Sequence, residues 1–143
     1  MTGLIDMPAA PRSEDAPIAE TILMVEDNAE VRVMGEALLC DAGFLVHTAT
    51  DAAEALAMVE AGLEFDLLFT DIVMPGALDG LSLATEVARL RPGMPVLLTT
   101  GWADRARDPA DKGPDAEFIA KPYRQTDLVR KVRLILDRGR AGR

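Results

Sequence analysis

Five short apolar runs punctuate this chain, and each stops at polar residues. They are Thr21-Ile22-Leu23-Met24-Val25, Phe44-Leu45-Val46-His47-Thr48, Leu67-Leu68-Phe69, Val96-Leu97-Leu98-Thr99 and Glu117-Phe118-Ile119-Ala120. Short continuous runs of this kind read as strands buried on both faces. The segments after them carry apolar residues at helical spacing. These are Val31, Met34 and Leu38, then Leu56 and Val59, then Leu83, Val87 and Leu90, and finally Leu128, Val132, Ile135 and Leu136. Strands alternating with helices predict a parallel sheet with helices on both faces, joined by right-handed crossovers. The fold class is α/β, doubly wound, and its functional crevice lies outside the carboxyl ends of the strands.

The punctuation is chemical. Asn28, Asp51, Asp79 and Thr126 can each cap a following helix, and Asp51 with Glu54 has the spacing of a capping box. Gly43, Gly62 and Pro92-Gly93 close the first three helices. Residues 1–20 hold Pro8, Pro11 and Pro17 among small and acidic residues, which predicts a flexible leader or linker. One domain is expected over residues 21–137, followed by a basic, fraying tail at 138–143. The stretch from Trp102 to Ala116 contains Pro109, Gly113 and Pro114, so a fourth helix there should be short or irregular.

With 24 acids against 15 bases, the net charge is −9. Phosphate binding needs a basic face, so direct nucleic-acid binding is not expected. No apolar run has the length of a membrane span, and no secretory signal begins the chain, so a cytoplasmic location is expected. Cys40, the single cysteine, falls in an apolar helical pattern and reads as a buried reduced thiol. His47 reads as a residue of an edge strand.

Polar residues collect where the strands end. The first strand runs into Glu26-Asp27, the third into Asp71, the fourth into Thr100 and the fifth into Lys121. A parallel sheet that makes these strands neighbours gathers three carboxylates, a hydroxyl and an ammonium. Crowded carboxylates resist ionisation, and a divalent cation relieves the repulsion. All-oxygen ligands suit Mg²⁺. A carboxylate held beside Mg²⁺ can attack a phosphoryl group and form an acyl phosphate. Lys121 and Thr100 supply a cation and a donor for the phosphoryl oxygens.

The set Glu26-Asp27, Asp71, Thr100 and Lys121-Pro122, in this order on a fivefold βα pattern, resembles the receiver domain of two-component response regulators. The resemblance implies a flavodoxin-like (βα)5 fold with strand order 2-1-3-4-5. It implies that Asp71 is the phosphoacceptor. Asp27, Asp71 and the Val73 carbonyl would ligate Mg²⁺, with Glu26 acting through water. Lys121 would contact the phosphoryl group. Thr100 would move toward it, and Phe118 would follow into the vacated space. The implied output surface is the fourth helix, the fifth strand and the last helix. The implied partners are a histidine kinase or histidine phosphotransfer protein and a downstream protein target, and a homodimer is allowed. The protein would be a regulatory phosphoacceptor that assists its own chemistry.

Some features depart from the family's commoner pattern. The loop Met74-Pro75-Gly76-Ala77-Leu78-Asp79-Gly80 looks one residue longer. The run Leu97 to Ala103 and the ending Lys121-Pro122-Tyr123 look most like receivers attached to hybrid sensor kinases, although a stand-alone protein is the favoured expectation. Val73 and Trp102 should border the phosphoryl pocket and leave little to position an attacking water, which predicts a long-lived acyl phosphate. Two other readings compete. An aspartyl-nucleophile phosphatase would carry a second acid two residues after Asp71, where Val73 stands. An interaction module that is never phosphorylated would not need the complete site.

Overall fold

The computed structural model describes residues 19–74, 76, 78–100 and 116–141. Nine elements follow in chain order among them. They are β1 (Thr21–Val25), α1 (Ala29–Asp41), β2 (Leu45–Ala49), α2 (Ala52–Glu60), β3 (Leu67–Asp71), α3 (Gly80–Leu90), β4 (Val96–Thr100), β5 (Ala116–Ala120) and α4 (Gln125–Ala141). The strands form one parallel sheet in the order β2-β1-β3-β4-β5. The parallel sheet is the one expected from the strand pattern, and its order is the flavodoxin-like one that the resemblance implies. The predicted fourth helix and Trp102 lie outside the described residues.

Alternation along the strands divides the core into two layers. Leu23, Val25, Leu68, Val96 and Leu98 face α2 and α3, where Ala55, Val59, Leu83 and Val87 complete the packing. Ile22, Met24, Leu67, Phe69 and Leu97 face the other way, against Leu39 of α1 and Leu128, Val132, Ile135 and Leu136 of α4. Burying each such side chain contributes about 1.5–3 kcal/mol relative to exposure. Both faces of the central strands are dry, which is why their sequences show no polar alternation.

Three helices start as the sequence indicates. The Asn28 side chain accepts from the Val31 amide at 2.9 Å, Asp51 from Glu54 at 2.8 Å and Asp79 from Ser82 at 2.8 Å. Glu54 returns the favour one residue earlier than a capping box would, accepting from the Thr50 amide at 2.7 Å. Among the described residues, no helix is long and apolar enough to cross a membrane.

Four local expectations are corrected. Met34 is 44% exposed, and the fully buried residues of α1 are Gly35 and Leu39. At Gly35 a Cβ would come within 2.9 Å of the Tyr123 hydroxyl and would collide with the end of Met24. That choice of inner face turns Cys40, one step beyond Leu39, to solvent, so the thiol is exposed rather than buried. Thr126 lies inside α4 rather than capping it, because the helix already includes Gln125. Finally, α4 continues to Ala141, past the expected end at Asp137, and Arg138 pairs with Glu117 at 2.9 Å.

The start of α3 is pressed against the end of β3. The Gly80 amide donates to the Ile72 carbonyl at 2.8 Å. A Cβ on Gly80 would overlap the Asp71 carbonyl and sit 2.8 Å from the Ile72 Cα, both of them backbone. Backbone cannot swing aside as a side-chain tip can. Gly80→Ala should therefore lower stability by roughly 2–3 kcal/mol, measured by urea denaturation. An unchanged denaturation midpoint would mean that α3 can shift away from β3 freely.

Candidate functional site

The continuation of β1 is polar but stays ordered. The Glu26 amide donates to the Ala49 carbonyl at 3.1 Å, extending the ladder with β2 by one bond. Its carbonyl accepts from Arg32 Nη1 at 2.9 Å. Alternation puts the Glu26 side chain on the face of Ile22 and Met24, and it is only 1% exposed. One carboxylate oxygen, Oε2, accepts from the Asn28 amide at 3.1 Å. Asp27, one residue on, is exposed.

Asp71 closes β3 and is 5% exposed. The Ile72 amide donates to the Thr99 carbonyl at 3.0 Å, so the strand end is held by β4. Lys121 follows β5, and its amide donates to the Thr100 carbonyl at 2.9 Å. From there the ammonium reaches both buried acids. Lys121 Nζ lies 2.8 Å from Glu26 Oε1 and 2.9 Å from Asp71 Oδ2. Asp71 Oδ1 is buried with no hydrogen-bond partner.

Glu26, Asp27 and Asp71 each offer an oxygen, and these atoms lie within 4.8 Å of one another. The donor set fits a hard divalent cation: three carboxylates, one with a partnerless buried oxygen and one open to solvent. Burial pushes the Asp71 carboxyl above its ordinary range, opposed by the Lys121 ammonium and the Val73 amide and reinforced by Asp27. Glu26 is likewise raised by burial, against Lys121 and the Asn28 amide. Burial works to lower the Lys121 pKa, but its hydrogen bonds to Glu26 and Asp71 outweigh that and hold it above the usual lysine range. Tyr123 is pushed up to about 12 by burial and by the negative charge of Glu26.

The remaining predicted residues fall as follows. Thr100 ends β4 and is 8% exposed. Phe118 is partly buried against the α2/α3 layer, on the strand rung of Leu98. Val73 is 49% exposed in the loop after β3. Tyr123 packs its ring on Phe69, with centroids 5.7 Å apart. The sequence reading missed that Lys121 bridges two acids, and it missed the Arg32 bond to the Glu26 carbonyl. The Arg32 bond had a faint signal, since Arg32 sits one helical turn after the Asn28 cap.

The response regulator receiver domain model matches residues 22–133. The chain belongs to the response regulator receiver domain family. It is similar to the response regulator receiver protein CpdR of Brucella abortus, 34% identical, over 80% of this chain and 95% of CpdR. It is also similar to the sensor kinase CckA of the same species, 32% identical, over 89% of this chain but only 15% of CckA. A crystal structure of a response regulator receiver protein from Sinorhizobium medicae superposes with a TM-score of 0.76 at 30% identity, covering 85% of this chain and 97% of that one. This receiver domain thus shares its fold with members of two-component signalling systems.

Two buried acids and one shared ammonium make an opposed pair of stability predictions for this receiver without metal. Lys121→Ala strands both carboxylates and should destabilise by roughly 1–3 kcal/mol. Asp71→Asn removes a charge whose pKa is raised in the fold, so it should stabilise at neutral pH. The native state binds more protons than the unfolded chain between the ordinary and the raised carboxyl pKa. The advantage of Asp71→Asn should therefore shrink as pH falls through that window. Urea titrations in chelator across the acid range check both signs.

Proposed function

We propose that this receiver is the phosphoacceptor of a two-component phosphorelay and that Asp71 carries the phosphoryl group. The observation that carries the reading is the Lys121 ammonium held between Glu26 and Asp71 beside Asp27. A phosphohistidine on a histidine kinase or histidine phosphotransfer protein is the donor. An Asp71 carboxylate oxygen attacks phosphorus. The new O–P bond forms as the P–N bond breaks, and the electron pair leaves on the imidazole nitrogen, which then takes a proton.

Asp27, Asp71 and the Val73 carbonyl would hold Mg²⁺, with Glu26 acting through water. When bound there, Mg²⁺ offsets the charge of the carboxylates and of the phosphoryl oxygens. Lys121 is prepositioned for the product, because it needs only to exchange a carboxylate oxygen for a phosphoryl oxygen. Thr100 donates a hydroxyl hydrogen bond to a second phosphoryl oxygen, and Phe118 follows into the space that Thr100 leaves. The phosphoryl group adds about −1.5 to −2 charges near neutral pH. That charge shifts an existing equilibrium of the surface formed by β5, α4 and the predicted helix before β5. A downstream protein, or a second copy of the chain, reads that surface.

Incubation with Mg²⁺ and acetyl phosphate should add one phosphoryl group by intact mass, and Asp71→Asn should abolish it. Labelling that survives Asp71→Asn would move the acceptor elsewhere, and steady release of phosphate from phosphate esters would favour a hydrolase. The apolar Val73 side chain beside the site offers no group to orient water. The double variant Val73→Asn, Trp102→Ala should accordingly shorten the acyl-phosphate lifetime several-fold, followed by the decay of the phosphorylated mass.

A further inference from the structure

Thr99 sits across the β3–β4 ladder from Asp71. Alternation sends both side chains to the α1/α4 face, the face of Leu97 and Phe69 two residues earlier on the same strands. Thr100, which carries the proposed switch hydroxyl, leaves on the opposite face. Thr99 is 2% exposed, and its Oγ1 has no hydrogen-bond partner. A buried hydroxyl left unpaired costs about 1–3 kcal/mol. The neighbouring Thr70 has no such deficit, because its hydroxyl donates to the Asp71 carbonyl at 3.0 Å. Asp71 Oδ1 is also buried and unpartnered. An unpaired donor and an unpaired acceptor therefore occupy the same rung of the sheet, on the same face.

We propose that Thr99 is a positioning residue for the chemistry of Asp71. Its hydroxyl donates to the Asp71 carboxyl oxygen that does not bond phosphorus, once Lys121 leaves Asp71 for the phosphoryl group. Lys121 is the side-chain cation paired with Asp71. When it turns to the incoming group, the carboxyl loses its main side-chain hydrogen-bond donor, and the Thr99 hydroxyl replaces it. The inference rests on the reading of Asp71 as the phosphoacceptor and adds a second hydroxyl that works through Asp71 rather than on the phosphoryl oxygens.

The test compares wild type, Thr99→Val and Thr99→Ser in three measurements: urea denaturation, Mg²⁺ binding by calorimetry, and Mg²⁺-dependent uptake of the phosphoryl mimic beryllofluoride. Thr99→Val should fold at least as stably as wild type, because an unpaired buried hydroxyl is gone. It should bind Mg²⁺ as wild type does and take up beryllofluoride about 10-fold more weakly or worse. Thr99→Ser should restore uptake. If Thr99→Val fails to fold, Thr99→Ala replaces it in the same comparison. Wild-type uptake by the apolar variant, failure of serine to restore it, or a parallel loss of stability and Mg²⁺ affinity would each overturn the role of Thr99 while leaving Asp71 as acceptor. A wild-type protein that takes up neither beryllofluoride nor a phosphoryl group would overturn the reading of Asp71 as well.

Discussion

One ammonium between two buried carboxylates is the constraint from which the rest of this receiver's site follows. Lys121 Nζ reaches Glu26 and Asp71 within 3 Å or less, yet both acids remain raised in pKa because burial outweighs the pairing. The arrangement is under-neutralised. Two formal negative charges face one positive charge, with Asp27 adding a third negative charge within 4.8 Å. Such a cluster favours whatever brings further positive charge, and a divalent cation does so.

The topology makes that crowding unavoidable. With strand order 2-1-3-4-5, β1 and β3 are neighbours, so the residues that end them meet. Lys121 must cross from the edge strand β5 past β4 to reach them, and a lysine is long enough to do so. Its own amide is pinned to the Thr100 carbonyl at 2.9 Å. The end of β3 is pinned from both sides, by Ile72 to Thr99 and by Gly80 to Ile72. The backbone around the carboxylates is therefore tied to its neighbours, which leaves any exchange of partners to the side chains.

The elements were legible in the sequence because their signals are local. Apolar runs, helix caps and helical spacing are set by neighbours in the chain, and so are the polar residues that end each strand. What the sequence did not show depends on contacts between elements. The inner face of α1 passes through Gly35 rather than Met34 because Met24 and the Tyr123 hydroxyl occupy the space a side chain would need. Glycine carries no hydrophobic signal, so periodicity chose the methionine, and the same rotation exposed Cys40. The site residues were legible as an ordered set of strand ends. Their pairing was not, since the bridge from Lys121 to Glu26 spans strands that sequence spacing does not relate. The register places Thr99 and Thr100 on opposite faces of β4, a division that two adjacent threonines in a sequence do not announce.

That division of faces bears on how a change at Asp71 would leave the site. Glu26, Asp71 and Thr99 extend the columns of Met24, Phe69 and Leu97, which form the floor beneath α1 and α4. Tyr123, two residues after Lys121, lies on the same floor, with its ring on Phe69 and its hydroxyl against α1 at Gly35. Any displacement of Lys121 from the two acids is thus coupled, through a chain of two residues, to a tightly packed anchor. Thr100 and Phe118 stand on the opposite floor, beneath the α2/α3 layer. A receiver that moves Thr100 while Tyr123 stays fixed would rearrange one face of its sheet about a held contact on the other. The close fit at Gly35 favours a fixed Tyr123, because its hydroxyl and the end of Met24 occupy the space a side chain there would need, and under the proposal above Thr99 would offer Asp71 a donor on that same face.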